Sequence, residues 1–410
     1  MATLLPFRAL RPRPSDAASI AAVPYDVVST DEARALAEGN PLSFLRVSRA
    51  EIELPPDADA YADAVYERAA QNFARLKDGA MTLESEPSVY FYRLRMGDHE
   101  QLGIAACFSL DEYDRDIIRK HERTRRDKED DRTRHMLALG AQTGPVFLTY
   151  RASADVNDIA SRVVAGMPLV DFTAADGVRH TMWRTNGADR EALVRAFAPI
   201  ETLYIADGHH RAASAARARD DMRGRGVKGQ PLGDGADFHS VLAVAFPHDQ
   251  VQVLAYNRVV KDLGGRSPEQ FLEAVGERFA LQPGPAIPER RGDVAMYLDG
   301  RWWLVRPTTA SDPSGAIGSL DVSVLQDHLL APVLSIADVR TDKRIDFVGG
   351  ARGTGALERL VDSGTAAVAF SLCPVSVADL MAVSDAGGIM PPKSTWFEPK
   401  LRDGLLIHVI

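Results

Sequence analysis

Apolar and polar positions along the chain follow two alternating periods, which predict a mixed sequence of strands and helices. Ala21 to Val28 reads as extended, since Pro24 holds its predecessor out of the helical region. Ser29 or Thr30 then caps a helix through Glu38 that ends at Gly39-Asn40-Pro41. Phe44 to Val47 predicts a short strand, and Asp59 to Lys77 an amphipathic helix with Tyr61, Val65, Phe73 and Leu76 inward. Val89 to Leu94 and Gly103 to Phe108 flank Gly97-Asp98-His99 and predict a hairpin. Gly144 to Tyr150, Gly177 to Thr185 and Ser240 to Phe246 read as strands, with a helix over Asp189 to Phe197. Arg219 to Asp237 is rich in glycine and charge and reads as a loop.

From about residue 251 the pattern reads as a second layer. Asn257 to Val260 is a strand, and Ser267-Pro268 starts a helix with proline at its first position. Val294 to Leu298 and Arg301 to Val305 flank Asp299-Gly300, a two-residue hairpin signal. Asp321 to Leu330 predicts a helix, Ile345 to Val348 and Ala366 to Leu372 strands, and Val377 to Ser384 a helix. The fold class expected is α/β of mixed α+β character, with a first portion over 1–250 and a second α/β portion over 251–410.

Two stretches break the pattern. In Thr202 to Ala216 an apolar strand runs through Asp207-Gly208-His209-His210-Arg211 into an Ala-rich helix. Glycine suits so sharp a turn, and the unpaired first-turn amides of the helix favour an anion. Arg211 offers a fork of donors matched to phosphate or carboxylate. In the alternative reading Asp207 is only the helix N-cap, Arg211 a surface charge, and His209 and His210 satisfied polar groups. The second stretch, Arg119 to His135, holds no aliphatic or aromatic hydrocarbon side chain. On one helix His121, Thr124, Lys128, Asp131 and His135 would share a face, either lining a groove or solvated and laced by pairs such as Glu122–Arg126.

Near the C-terminus, Met390-Pro391-Pro392-Lys393-Ser394-Thr395 sets a lysine and two hydroxyls on a proline-stiffened loop. It lacks the glycines of a P-loop, so it reads either as an anion-binding loop or as a surface loop anchored by Trp396 and Phe397. Gly349 to Gly355 is glycine-rich, but its spacing misses the dinucleotide fingerprint and it reads as a turn.

The motif Asp207 to Arg211 before an Ala-rich helix resembles the phosphate-binding turn of the ParB/sulfiredoxin-like superfamily. That superfamily includes free L-serine kinases and CTP-binding ParB proteins. With Pro24-Tyr25-Asp26-Val27, His121-Glu122-Arg123-Thr124, Lys128, Asp131-Arg132 and Met390 to Thr395, the chain resembles the DUF1015 family. Sulfiredoxins carry a reactive cysteine where this chain has His209, which argues against sulfinic-acid reduction.

Composition narrows the classes. A net charge of −9 disfavours a general nucleic-acid binder. Cys107 and Cys373 lie far apart, which excludes a disulfide framework or a thiolate zinc site. No apolar run reaches membrane-spanning length and no signal peptide is evident, so a cytoplasmic protein is expected. The composition is silent on oligomeric state.

The resemblance implies phosphoryl transfer from a nucleotide, ATP or ADP with Mg²⁺, to a small hydroxylated substrate such as free L-serine. It places Asp207, Glu122 and His209 in catalysis. Gly208, His210, Arg211, Lys128, Arg132, Lys393, Ser394 and Thr395 fall on the nucleotide phosphates, and His121, Thr124 and Asp131 on the substrate. No residue is assigned as a direct metal ligand, Mg²⁺ arriving with the nucleotide. Two alternatives are a ParB-like nucleotide-binding switch without turnover and a metal-dependent hydrolase using Asp207, His209 and His210.

Overall fold

The computed structural model describes residues 1–226, 237–308 and 317–410, which form a mixed α/β fold. They divide into two compact units. The first comprises Met1–Lys120, Thr124–Val251 and Pro399–Ile410, and the second His121–Arg123 with Gln252–Glu398.

The first unit is built on a nine-stranded mixed sheet. Its central strand Ser240–Pro247 is buried at every position, as a strand covered on both faces requires. On one side it runs parallel to Val146–Tyr150, and on the other antiparallel to His99–Ser109. Leu203–Asp207 lies antiparallel to Val146–Tyr150 and parallel to the two-residue strand Ile118–Arg119. The core includes Phe108, Tyr150, Phe197, Ile205 and Val241, all buried. A four-stranded sheet joins Ala9–Pro12 to the C-terminal strand Ile407–Val409, and helices Thr30–Ala37 and Asp63–Gly79 cover an adjoining core.

Three expectations change here. Phe44 to Val47 is not a strand but leads into the short helix Leu45–Ser48, because Phe44 buries its ring against Phe73 while the backbone closes local bonds. The polar helix is Arg126–Leu139, so His121 and Thr124 lie ahead of it and share no face with Lys128, Asp131 and His135. Strand pairing of Ile118–Arg119 with Leu203 and Tyr204 holds the preceding segment extended. The expected loop over Arg219 to Asp237 starts later, since helix His209–Gly224 continues through Arg219. Arg219 is buried and paired with Asp111, Asp114 and Asp220. Residues 227–236 of that stretch lie outside the described residues.

A helix with so little apolar surface is held by other means. Arg126–Leu139 packs against the Ala-rich helix His209–Gly224, whose small side chains allow close approach. Ser214 donates to the Glu129 carbonyl at 3.2 Å, and Arg217 pairs with Glu129 and Asp130.

The second unit carries a six-stranded antiparallel sheet in which Tyr256–Val260 pairs with Ile345–Gly349 and Val368–Leu372. Its hairpin turns at Asp299 and Gly300, both at positive φ, as a type I′ turn requires. Asp321–Leu325 is α-helical and continues as a π-helical turn over Gln326–Leu330.

Candidate functional site

The turn after strand Leu203–Asp207 is the most elaborated place in the first unit. The strand's register against Val146–Tyr150 shifts between Ile205 and Asp207, a bulge of the kind that re-aims a side chain. Gly208 follows at φ 97°, ψ 29°, and helix His209–Gly224 starts at once. A Cβ on Gly208 would lie 3.0 Å from Nε of Arg211, so glycine is needed for conformation and for space. Gly208 rather than Asp207 occupies the N-cap position, and no side chain caps the helix. The capping reading of Asp207 therefore falls.

Arg211 folds back under the turn and is buried. Its Nη1 donates to the carbonyl of Pro145, and Nη2 lies 3.5 Å from Oδ1 of Asp207 and 3.9 Å from Oδ2 of Asp26. The surface-charge reading of this residue is thereby overturned. Nε is also buried but has no acceptor among the described residues. One donor of the fork is thus left without a partner beside the missing Cβ of Gly208.

Asp207 is gripped from a second direction by Lys400, whose Nζ donates to Oδ2 at 2.9 Å. Burial alone would raise the Asp207 pKa, but the charges of Lys400 and Arg211 and the Lys400 hydrogen bond outweigh it. Its carboxyl stays well below the usual carboxylate range. Asp403 responds oppositely. Burial pushes it up to about 7, with Arg211 and Arg132 opposing and Asp26 reinforcing. Backbone bonds between Asp403 and Ala22 tie the C-terminal segment to the chain just before Asp26. Gly144 leaves room for Asp403, since a Cβ there would meet Oδ1 at 2.6 Å.

The polar helix contributes an adjoining set. Asp131 accepts from Nε of Arg132 and from the Tyr66 hydroxyl, each at 2.8 Å. Burial opposes ionisation of Asp131, yet Arg132 and these bonds hold its pKa below normal. The Arg132 guanidinium stacks over Tyr25 at 4.2 Å, and Tyr25 is the neighbour of Asp26. His135 donates from Nε2 to the Val47 carbonyl at 2.9 Å, and burial with Arg132 drives its pKa down to about 3. Lys128 instead reaches the Tyr61 hydroxyl at 2.7 Å. Thr124 bonds to Glu129, and His210 accepts at Nε2 from the Arg125 amide at 3.0 Å. His209 is buried.

The remaining sequence candidates belong to the second unit. His121 is buried and its carbonyl accepts from the Met390 amide at 2.8 Å, while Glu122 is half-buried. Lys393 is exposed at φ 58°, Ser394 is buried and donates to the Pro391 carbonyl at 2.5 Å, and Thr395 is half-buried. The glycine-rich turn is explained by packing. A Cβ on Gly349 would strike the Trp396 ring at 2.6 Å, and one on Gly350 the Ala255 carbonyl at 2.6 Å.

A family model described as "Protein of unknown function (DUF1015)" matches residues 4–323. The chain belongs to the DUF1015 family. The matched span takes in Asp26, Asp131 and Asp207 to Arg211, while Lys393, Lys400 and Asp403 lie beyond it. No curated protein matches the chain. Among solved structures it is similar to a conserved hypothetical protein from Pyrococcus furiosus, at 14% identity and TM-score 0.36, covering 74% of this chain and 95% of that one. It is similar also to a free serine kinase in complex with AMP, at 14% identity and TM-score 0.37, covering 73% and 92%. A third is SbnI with C-terminal truncation from Staphylococcus aureus, at 12% identity and TM-score 0.39, covering 74% and 87%.

In this DUF1015 chain the first unit gathers Asp26, Asp131, Arg132, Asp207, Arg211, Lys400 and Asp403 into one ionic network, with Asp131, Arg211 and Asp403 buried, Arg132, Asp207 and Lys400 half-buried and Asp26 exposed. Sequence reasoning missed Asp26, Lys400 and Asp403 as site residues. Asp26 had a signal in its Pro-Tyr-Asp-Val setting, whereas Lys400 and Asp403 had none, being joined to the turn only by the fold. Among the described residues no group of three or more His, Cys, Asp or Glu is placed to hold a metal ion. No helix among them is long and apolar enough to cross a membrane.

Proposed function

We propose that the Asp207–Gly208 turn is the phosphate-handling site of a nucleotide-dependent phosphotransferase acting on a small hydroxylated metabolite, with free L-serine the first substrate to try. One observation carries this reading: a buried arginine donor without an acceptor among the described residues lies against a glycine turn that opens a sixteen-residue helix. Such a helix start presents unpaired amides and the positive end of its dipole. Phosphoryl transfer asks for phosphate clamps, charge neutralisation and a positioned hydroxyl. The first-turn amides and Nε of Arg211 supply donors, and Lys400 supplies charge. Asp207 and Asp26 are the carboxylates beside the turn that would meet a Mg²⁺ arriving on the nucleotide. The bound ion would neutralise phosphate charge.

The Asp207–Lys400 pair bears on the reaction. A carboxylate held so far below its normal range is a weak base. Turnover in this reading therefore requires Lys400 to leave Asp207 for the phosphate, which frees the carboxylate to take the hydroxyl proton. If Lys400 stays, the site binds nucleotide without transfer, and that is the ground for the second reading, a nucleotide-gated switch.

Labelled ATP, ADP and CTP offered with pooled amino acids separate the two. A labelled phosphomonoester, O-phosphoserine first among them, supports the transferase. Bound nucleotide with no labelled small molecule supports the switch. If no nucleotide binds, both fall.

A further inference from the structure

The first unit holds a cavity of about 200 Å³ between the helix Ala154–Val164 and the nine-stranded sheet. The sequence of the helix explains the space. Val156, Ala160 and Val164 lie four residues apart and share one face, opposite Phe91 and Ile104 of the sheet. Those two are direct partners in the pairing of Tyr90–Met96 with His99–Ser109. Ala160, in the middle of the stripe, is too small to fill the gap. No charged side chain among the described residues lines the cavity.

Three polar side chains of the lining have donors to spare. Tyr150 is 1% exposed and fixed edge-on against Phe197 at 5.3 Å, yet its hydroxyl forms no hydrogen bond among the described residues. Burial pushes its pKa up, so it stays protonated. A hydroxyl buried without a partner is costly, and the cavity is the open space beside it. Gln250 accepts from the Leu102 amide at 2.9 Å through Oε1, which leaves Nε2 without an acceptor among the described residues. The side-chain amide of Asn157 is likewise unbonded among them, the Ser161 hydroxyl donating instead to the Asn157 backbone carbonyl at 2.9 Å. Asn157 and Gln250 are half-buried.

We propose that this cavity binds a small uncharged molecule with an apolar body of about one ring and a single hydroxyl or carbonyl oxygen as its head. The volume sets the size, since an apolar cavity of about 150 Å³ takes benzene. The apolar wall receives the body, and the donors of Tyr150, Asn157 and Gln250 receive the oxygen. An ionised head would lose its hydration with no counter-charge in the wall. An anion would also meet the charge of Asp249, which acts on the Tyr150 hydroxyl. Tyr150 ends the strand whose Phe147 pairs with Asp207, so the site stands apart from that turn and its test needs no nucleotide.

Calorimetry on the full chain with benzyl alcohol, toluene and benzoate tests this. Benzyl alcohol should saturate one site, about three- to tenfold more tightly than toluene, and benzoate should give no saturable heat. Tyr150→Phe removes the hydroxyl and keeps the ring. It should weaken benzyl alcohol by about three- to tenfold and leave toluene unchanged. Ala160→Leu fills the space and should abolish binding of both. The proposal is overturned if benzyl alcohol does not saturate, which would leave the cavity to ordered water. It is overturned equally if benzoate binds as tightly, if Ala160→Leu titrates like the parent, or if Tyr150→Phe affects benzyl alcohol and toluene alike. Should Ala160→Leu fail to fold, the Tyr150→Phe comparison still decides.

Discussion

The ammonium of Lys400 lies 2.9 Å from Oδ2 of Asp207, although 193 positions of sequence separate them. This contact and the charge of Arg211 together hold the Asp207 carboxyl well below the usual carboxylate range, against the burial that would raise it. Asp207→Asn leaves Lys400 and Arg211 each short of a charged partner, at a cost of about 1.5–3 kcal/mol in stability. Nucleotide affinity should hold or tighten, since a negative charge beside the phosphates is gone. Turnover should fall by roughly two to four orders of magnitude if the freed carboxylate is the base. Calorimetry with ADP and a product assay on the same preparation check both halves, and undiminished turnover would end the case for Asp207 as base.

Gly208→Ala tests the turn. Its φ of 97° lies outside the range that L residues adopt readily, and the new methyl would press on Arg211. Strain of this kind costs on the order of 1–3 kcal/mol. The expected outcome is a lower urea midpoint with an unchanged slope, together with weaker ADP binding. A variant with parental stability and binding would show that the turn relaxes freely.

The strand-turn-helix at Asp207 was legible because each of its steps is local: an apolar run, a glycine, then alanines. The hairpins, the helices that open at Ser29 and Ser267, and the helix from Val377 were legible for the same reason. What the sequence hid was direction. The Arg211 fork suggests an outward clamp, yet in the fold most of it serves Pro145, Asp26 and Asp207. Phe44 to Val47 has strand composition, and its helical state depends on the distant Phe73. Lys400 and Asp403 join the site through tertiary packing, which no local pattern records.

Arg211→Ala follows from that correction. Removing the buried guanidinium takes one of two cationic partners from Asp207, which keeps Lys400, and leaves the Pro145 carbonyl without its donor, which should destabilise the protein by about 1–3 kcal/mol. Folding then suffers at least as much as nucleotide binding. Arg211→Lys keeps the charge but not the three-way fork, and should recover only part of the loss. Denaturant melts of the two variants without nucleotide measure this. Parental stability in Arg211→Ala would return the residue to an outward role.

Asp403 predicts a pH signature of definite sign. Its folded pKa, pushed up to about 7 by burial, lies above the unfolded value of about 4. Between those values the folded protein keeps a proton that the unfolded chain has released. Its contribution to stability is thus complete below about pH 4 and lost as pH rises through 7. Asparagine imitates the neutral carboxyl, so Asp403→Asn should match the parent in mild acid and exceed it in stability above pH 7. His135 and His180, driven down to about 3 chiefly by burial with added repulsion from Arg132 and Arg402, act oppositely. They weaken the fold as pH falls from about 6.5, but they do so in both proteins and cancel in the difference. Urea midpoints of parent and variant from pH 4.5 to about 8.5 give that difference directly. A gap that does not widen with pH would mean that Asp403 is ionised throughout, and that the network around Arg211 holds one more negative charge than its burial favours.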